Sequence, residues 1–289
     1  KKYTIPESEI RATLNQAQYK QNIIDAITRP AEAKPWKAYR PIFITEARIN
    51  NGRKFMAEHR AELQRVQDRT GVPAEIIVAI IGVETSYGGN MGSFKVLDAL
   101  YTLGFYYPKR EAFFSSELAH LFELSRVEQF DIHQLKGSYA GAMGWGQFMP
   151  SSYLNYAQDG NGDGRRNLFN NLDDVFSSVA NYFVGHGWKK GEPVFVRASM
   201  DANALPFVPD NLEAKYSLAD LAAKGYRPVE TVPNLPATLL TFDGAEGTEH
   251  WIGFKNFYVI TRYNRSPLYA MSVYQLAQAI AAPQATPAQ

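Results

Sequence analysis

The stretch from Val72 to Gly89 constrains this chain more than any other. Pro73 suits the first turn of a helix, where its missing N–H is not needed. Behind it Ile76, Ile77, Val78, Ala79, Ile80, Ile81 and Val83 are apolar almost all round. A helix with no polar face belongs inside a core. Its β-branched content fits a buried strand equally well, and periodicity alone does not separate the two. The run stops at Glu84-Thr85-Ser86-Tyr87-Gly88-Gly89, where the glycines break it. A carboxyl at the edge of apolar surroundings loses hydration in its charged form, so the Glu84 pKa is expected to rise. That is what a general acid working near neutral pH needs. A solvated glutamate at a helix end is the plainer reading, and this feature alone does not displace it.

A chain of 289 residues can bury such a helix and suggests about two domains. The formal net charge of +1 gives no global case for nucleic acid or a strongly acidic partner. Absence of cysteine excludes a disulfide scaffold, a thiol nucleophile and thiolate metal sites. No stretch approaches the roughly 20 apolar residues that span a bilayer. Because the sequence starts Lys1-Lys2 without Met, a processed product is expected, with any signal or lipid-bearing segment missing. The 17 Tyr, 17 Phe and 4 Trp suit a sugar-binding cleft, but a well-packed core comes first.

Helical patterning is expected over about 7–27, 44–69, 94–103, 108–125 and 172–187, and the proline-bearing stretch Arg29 to Pro41 is expected to be a loop. From Pro193 the texture changes. Val194 to Ala198, Ala237 to Phe242 and Phe257 to Tyr263 read as strands, with a short helix from Ser217 to Lys224. Leu268 to Ile280 returns to helix and an Ala/Pro/Gln tail of disordered character follows. The fold class is therefore α+β and mainly helical, with a small β insertion near 190–265.

The segment Lys136 to Ser152 contains Gly137, Gly141, Gly144 and Gly146, which let backbone approach a ligand without Cβ clashes. Gln147 and Ser138 can hydrogen-bond sugar hydroxyls or an acetamido group, and Tyr139, Trp145 and Phe148 offer flat faces to pyranose rings. A tightly packed glycine-rich turn is the alternative. Together with Glu84-Thr85-Ser86-Tyr87-Gly88, the run Ser138-Tyr139-Ala140-Gly141-Ala142-Met143-Gly144 and Gln147-Phe148-Met149-Pro150-Ser151 resembles the lytic murein transglycosylases of the B type. Ala180-Asn181-Tyr182-Phe183 and Gly187-Trp188 extend the resemblance, which covers roughly residues 5 to 280.

The resemblance implies a lysozyme-like core at 69–189, flanked by an α domain (1–68 plus 266–289) and a small antiparallel β domain (190–265). It implies cleavage of the β-1,4 bond between N-acetylmuramic acid and N-acetylglucosamine, with Glu84 as catalytic acid and then base. Ser138, Tyr139, Met143, Gln147, Phe148, Asn181 and Tyr182 are the implied substrate-binding residues. A retaining glycosidase normally uses two carboxylates about 5 Å apart. No second acid lies inside either motif, and neither Asp98 nor Glu111 has a reason to sit in a cleft. That fits assistance by the 2-acetamido carbonyl of the substrate and closure of a 1,6-anhydro ring. No cofactor is expected for the chemistry. The expected partner is the peptidoglycan strand, the expected state a monomer, and the expected location the bacterial periplasm at the outer membrane. Membrane contact is expected only through a lipid anchor outside this chain.

Asp159-Gly160-Asn161-Gly162-Asp163-Gly164-Arg165 fits the start of an EF-hand loop, with side-chain oxygens at positions 1, 3 and 5, Gly at 6 and the Arg165 carbonyl at 7. Position 12 is Asn170, where a bidentate Glu is expected. Asp173, or in second place Asp174, is the candidate to close a longer loop around a structural calcium ion. An Asx-rich turn without metal is the alternative.

Three other functions stay open: a hydrolytic goose-type lysozyme, a non-catalytic calcium-stabilised glycan-binding module, and a scaffold for wall enzymes. The histidines at 59, 120, 133, 186 and 250 show no ligand spacing, and no Gly-x-Ser-x-Gly elbow suggests a serine hydrolase.

Overall fold

A computed structural model of the chain describes residues 2–29 and 33–283. The tail from 284 onward, expected to be disordered, lies outside the described residues. In chain order, α1 (Glu7–Leu14) and α2 (Gln21–Thr28) precede α3 (Trp36–Phe43), α4 (Glu46–Glu58), α5 (Arg60–Thr70) and α6 (Ala74–Thr85). Then come β1 (Phe94–Lys95), α7 (Val96–Tyr106), α8 (Glu111–Val127), β2 (Lys136–Gly137), α9 (Pro150–Tyr156) and α10 (Leu172–Gly185). The remainder holds β3 (Phe195–Met200), α11 (Leu218–Ala223), β4 (Tyr226–Pro228), β5 (Ala237–Gly244), β6 (Gly247–Phe254), α12 (Lys255–Tyr263) and α13 (Pro267–Ala281). The expected class, mainly helical α+β with small antiparallel sheets, is what the chain adopts. Among the described residues no helix is long and apolar enough to cross a membrane.

The chain divides into two compact units, Lys1–Glu32 with Glu84–Tyr182, and Ala33–Val83 with Phe183–Gln289. In the first, α7 packs on α8 and α8 on α9. The α1–α2 connection is tied to α7 by side chains. Asp98 Oδ1 accepts from Gln18 N at 2.8 Å, and Thr102 Oγ1 accepts from Lys20 N at 3.0 Å. Both side chains are buried, so each amide supplies the partner that a buried polar side chain requires.

In the second unit a four-stranded antiparallel sheet has the order β4-β3-β6-β5. Val196, Ala198, Leu239, Ile252 and Phe254 gather on one core with Leu221 of α11 and Tyr226 of β4. The β5–β6 hairpin runs in register from Ala237↔Phe254 to Gly244↔Gly247. The α6 helix settles the helix-or-strand ambiguity of its sequence: Ile76 to Ile81 are at most 3% exposed. Its first turn takes an outside acceptor, with Ala74 N donating to Gln67 Oε1 at 2.7 Å.

Several local expectations are corrected. Phe257 to Tyr263 belongs to helix α12 and not to a strand. Its β-branched and aromatic residues cost a few tenths of a kcal/mol each in a helix, whereas burying Phe257, Val259 and Ile260 completely returns roughly 2 kcal/mol apiece. The strand lies just before it, in β6, whose first residues, exposed at Gly247 and Thr248 and half-buried at Glu249 and His250, hide the pattern. The stretch Arg29 to Pro41 is not all loop, because α3 starts at Trp36 and carries Pro41 inside. Trp36, 1% exposed, anchors it. The stretch 44–69 is two helices that meet at His59, and no proline or glycine marks the break. The pattern over 7–27 likewise splits into α1 and α2, where Gln18 and Lys20 turn their amides to Asp98 and Thr102.

Candidate active site

Glu84 and all the implied binding residues fall in the first unit. Glu84 is the penultimate residue of α6 and is half-buried. The chain then does something unusual. Ser86 (φ 49°), Tyr87 (φ 59°) and Gly88 (φ 82°) form a consecutive left-handed turn. For a residue with a Cβ this conformation costs about 1–2 kcal/mol, so the turn persists only if something outside it holds it.

What holds it is the glycine-rich segment. Thr85, 1% exposed, donates from Oγ1 to Trp145 O at 2.9 Å and accepts there from Gly88 N at 3.0 Å. The Trp145 ring occupies the space beside Gly88, where a Cβ would come within 2.6 Å of it. Glycine is required here twice, by its φ and by this contact.

The glycine-rich segment is itself tightly bonded. Met143 and Phe148 exchange both backbone hydrogen bonds at 2.9 Å, and Met143 and Phe148 are 0% and 2% exposed. Gln147 sits at φ 53°, and its Nε2 donates to Met91 O at 3.2 Å and Gly144 O at 2.9 Å. Ser138 Oγ accepts from Ala140 N at 3.2 Å and Ala142 N at 3.1 Å. Asn181 Nδ2 donates to Tyr156 O at 2.9 Å, and the Tyr182 ring meets Phe148 and Tyr156 edge-on.

These bonds separate two kinds of residue within the candidate set. Tyr139, 39% exposed, presents a face to solvent. Gln147 and Ser138 use their side chains to shape the loop; Gln147 turns both amide hydrogens inward and Ser138 spends acceptor capacity on its own turn. Met143 and Phe148 lie beneath the surface. Trp145, expected to offer its face to a sugar, is half-buried, packs on Gly88 and donates from Nε1 to Phe169 O at 3.0 Å.

Sequence reasoning missed Thr85, and no pattern in the chain points to its partner, which is 60 residues away. It also missed the buried carboxylates that brace the unit. Glu117 accepts from Ser151 N at 2.9 Å and from Ser151 Oγ at 2.5 Å, at the start of α9. Glu128 pairs with Arg166 Nε at 2.6 Å and accepts from Arg166 N at 2.9 Å.

The acidic loop is pre-shaped by its own amides. Asp159 accepts from Gly162 N, Asp163 N and Gly164 N at 2.7, 3.1 and 2.7 Å. Asp163 Oδ1 accepts from Arg165 N at 2.9 Å, and Asn161 Oδ1 from Asp163 N at 3.2 Å. Asn161, Asp163 and Arg165 are exposed, Asp159 and Asp173 half-buried. Asp174 is fully buried and uses both oxygens on backbone, with Gly160 N and Asn167 N each at 2.7 Å. Burial pushes its carboxyl up from the usual range, those two amides oppose the shift, and the neighbouring Asp159 and Asp163 charges add to it. Among the described residues no group of three or more His, Cys, Asp or Glu is placed to hold a metal by itself. The loop would draw on amide and carbonyl oxygens as well, which suits a hard cation that takes six to eight oxygens.

Residues 1–278 match the family model described as the Transglycosylase SLT domain. Membrane-bound lytic murein transglycosylase B of Escherichia coli (strain K12) is 44% identical over 291 residues, covering 97% of this chain and 80% of the relative. The crystal structure of soluble lytic transglycosylase SltB1 from Pseudomonas aeruginosa superposes with a TM-score of 0.91 at 48% identity, covering 96% of this chain and 94% of that one. The Escherichia coli lytic transglycosylase Slt35, solved in complex with calcium, superposes with a TM-score of 0.89 at 45% identity over 97% and 89% of the two chains.

Proposed function

The chain belongs to the SLT-domain transglycosylases, and from that premise we propose that it is a peptidoglycan lytic transglycosylase in which Glu84 serves as acid and then base. In the first step the Glu84 carboxylic acid gives its proton to the glycosidic oxygen between N-acetylmuramic acid and N-acetylglucosamine. The C1–O4 bond breaks as the 2-acetamido carbonyl oxygen attacks C1. In the second step the Glu84 carboxylate takes the proton of the muramyl C6 hydroxyl. O6 then attacks C1, the acetamido C1–O bond breaks, and a 1,6-anhydro ring closes without water. Exclusion of water from the site decides between this outcome and hydrolysis.

The observation that carries the single-glutamate reading is how the other buried carboxylates of the unit are engaged. Asp98 accepts from Gln18 N, Glu117 from Ser151, Glu128 from Arg166, and Asp174 from Gly160 N and Asn167 N. Each of these four has a structural task, which supports the reading that Glu84 works without a carboxylate nucleophile beside it. Tyr139 is the exposed aromatic face of the candidate set, and Ser138, Met143, Gln147, Phe148, Asn181 and Tyr182 shape the binding surface around it.

The acidic loop fits calcium. Asp159, Asn161 and Asp163 would offer side-chain oxygens, Arg165 its carbonyl, and Asp173 the closing carboxylate. Asp174 is better suited to clamping the loop, because both its oxygens already accept backbone amides. The ion would supply charge neutralisation and rigidity, and Glu84 would do the chemistry. The periplasmic side of the outer membrane and a monomeric state complete the proposal.

The test is mass spectrometry of products from purified peptidoglycan, with Glu84→Gln alongside. Products lighter by one water than reducing-end muropeptides, absent from a folded Glu84→Gln variant, are expected. Reducing ends would move the chain to lysozyme chemistry, and no turnover by the wild type would favour a binding module.

A further inference from the structure

We infer that Thr85 and Trp145 are positioning residues for Glu84, forming a latch between the turn that follows Glu84 and the segment that closes the acidic loop. The inference rests on the proposed role of Glu84.

The connection can be followed atom by atom. The Asp174 carboxylate holds Gly160 N on one oxygen and Asn167 N on the other, both at 2.7 Å. Asn167 Oδ1 in turn accepts from Phe169 N at 3.0 Å and Asn170 N at 3.1 Å. The carbonyls of this ordered segment face Trp145: Leu168 O takes its backbone N–H at 3.2 Å, and Phe169 O its indole N–H at 3.0 Å. Trp145 is thereby held by its main chain and its side chain together. Its own carbonyl then receives Thr85 Oγ1 at 2.9 Å, and the same hydroxyl oxygen receives Gly88 N at 3.0 Å.

Close contacts show that the parts leave no slack. A Cβ on Gly144 would lie 2.5 Å from Leu168 O, and one on Gly88 would lie 2.6 Å from the Trp145 ring. Thr85 is the residue after Glu84, so the bond that fixes Thr85 fixes the end of the backbone that aims the Glu84 side chain. A displacement of about 1 Å at a reacting group costs on the order of a hundredfold in rate. Ser86 and Tyr87, at φ 49° and 59°, would relax toward ordinary backbone if the latch opened, and that motion would carry the helix end with it.

The experiment compares Thr85→Val, Thr85→Ser, Trp145→Phe and Glu84→Gln on soluble glycan fragments of peptidoglycan, measuring kcat, KM and thermal midpoint. Thr85→Val keeps the shape and removes the hydroxyl, and with it the bonds to Trp145 O and from Gly88 N. It is expected to lower kcat about tenfold to a hundredfold, the range of one to two lost hydrogen bonds, with KM changed less than about twofold. Thr85→Ser restores the hydroxyl and is expected to recover kcat to within about threefold of the wild type. Trp145→Phe keeps a ring beside Gly88 but cuts the tie to Phe169 O, and is expected to lower kcat about fivefold. If Thr85→Val fails to fold, Trp145→Phe decides. A wild-type kcat in the deciding variant, or a loss in Thr85→Val that Thr85→Ser does not restore, overturns the latch. A Glu84→Gln variant that stays active overturns the role of Glu84 instead.

Discussion

Two turns of this molecule take left-handed backbone and stabilise it in opposite ways. The acidic loop does so with glycines: Gly162 (φ 76°) and Gly164 (φ 85°) have nothing within 4 Å of where a Cβ would stand. Its amides are met by Asp159 and Asp163 from within the loop itself. The turn after Glu84 uses Ser86 and Tyr87, which have side chains to strain, and one glycine wedged beneath an indole. Thr85 meets Gly88 N and Asn90 N within the turn, and its hydroxyl is tied in addition to Trp145, far away in sequence. The first turn meets most of its amides from within and is open to solvent. The second is costly in isolation and depends on the tertiary structure around it. Strain concentrated beside the one carboxyl assigned to chemistry is where a preorganised site is expected to place it.

The contrast can be broken by substitution. Gly88→Ala combines a forbidden contact at 2.6 Å with φ 82° and is expected to lose about 3 kcal/mol or more. Thermal unfolding would show it as the largest fall of the set, with activity lost at temperatures where the wild type works. A residual midpoint close to wild type would mean that the Trp145 ring can swing aside, and the two turns would then differ less than their geometry indicates.

The proposed calcium site is expected to give the middle effect. Titration to about 100 times its dissociation constant adds about 2.7 kcal/mol, a rise of roughly 5 °C in the midpoint for a chain of this size. In Asp159→Asn that calcium-dependent rise is expected to vanish, and differential scanning calorimetry with and without chelator reads it directly. An equal rise in both proteins would locate the ion elsewhere.

Gly162→Ala is the smallest. With open space around the Cβ, only the backbone cost of φ 76° remains, about 1 kcal/mol. If it destabilised as much as Gly88→Ala, the loop would be more tightly bound than its exposure shows.

The candidate site could be named from the chain because its signals are local. Glu84 closes an apolar run, glycines cluster between 137 and 146, and alternating acceptors sit at 159, 161 and 163. Each is read within a window of about a dozen residues. The rest depends on partners that no window contains. Thr85 finds Trp145, Glu117 finds Ser151, Glu128 finds Arg166 and Asp98 finds Gln18, and none of the eight announces its mate. The fold shows the same division. The α6 segment was recognisable as buried from its composition alone. Phe257 to Tyr263 was misread as a strand because β-branched and aromatic residues are equally at home in a buried helix. There Arg262 reaches back over the ring of Tyr258 at 4.2 Å, the i, i+4 spacing of a helix.

The sequence separation of the latch also sets an order of events during synthesis. A nascent chain emerges from its N-terminus, and domains form as their residues become available. The α6 helix is complete at Thr85, yet the bond from its hydroxyl to Trp145 O forms only once Trp145 has been made, and the bond from the Trp145 indole to Phe169 O only once Phe169 follows. A polypeptide halted anywhere before that point carries Glu84 without the bonds that end at Phe169, and is expected to be inactive in the proposed reaction.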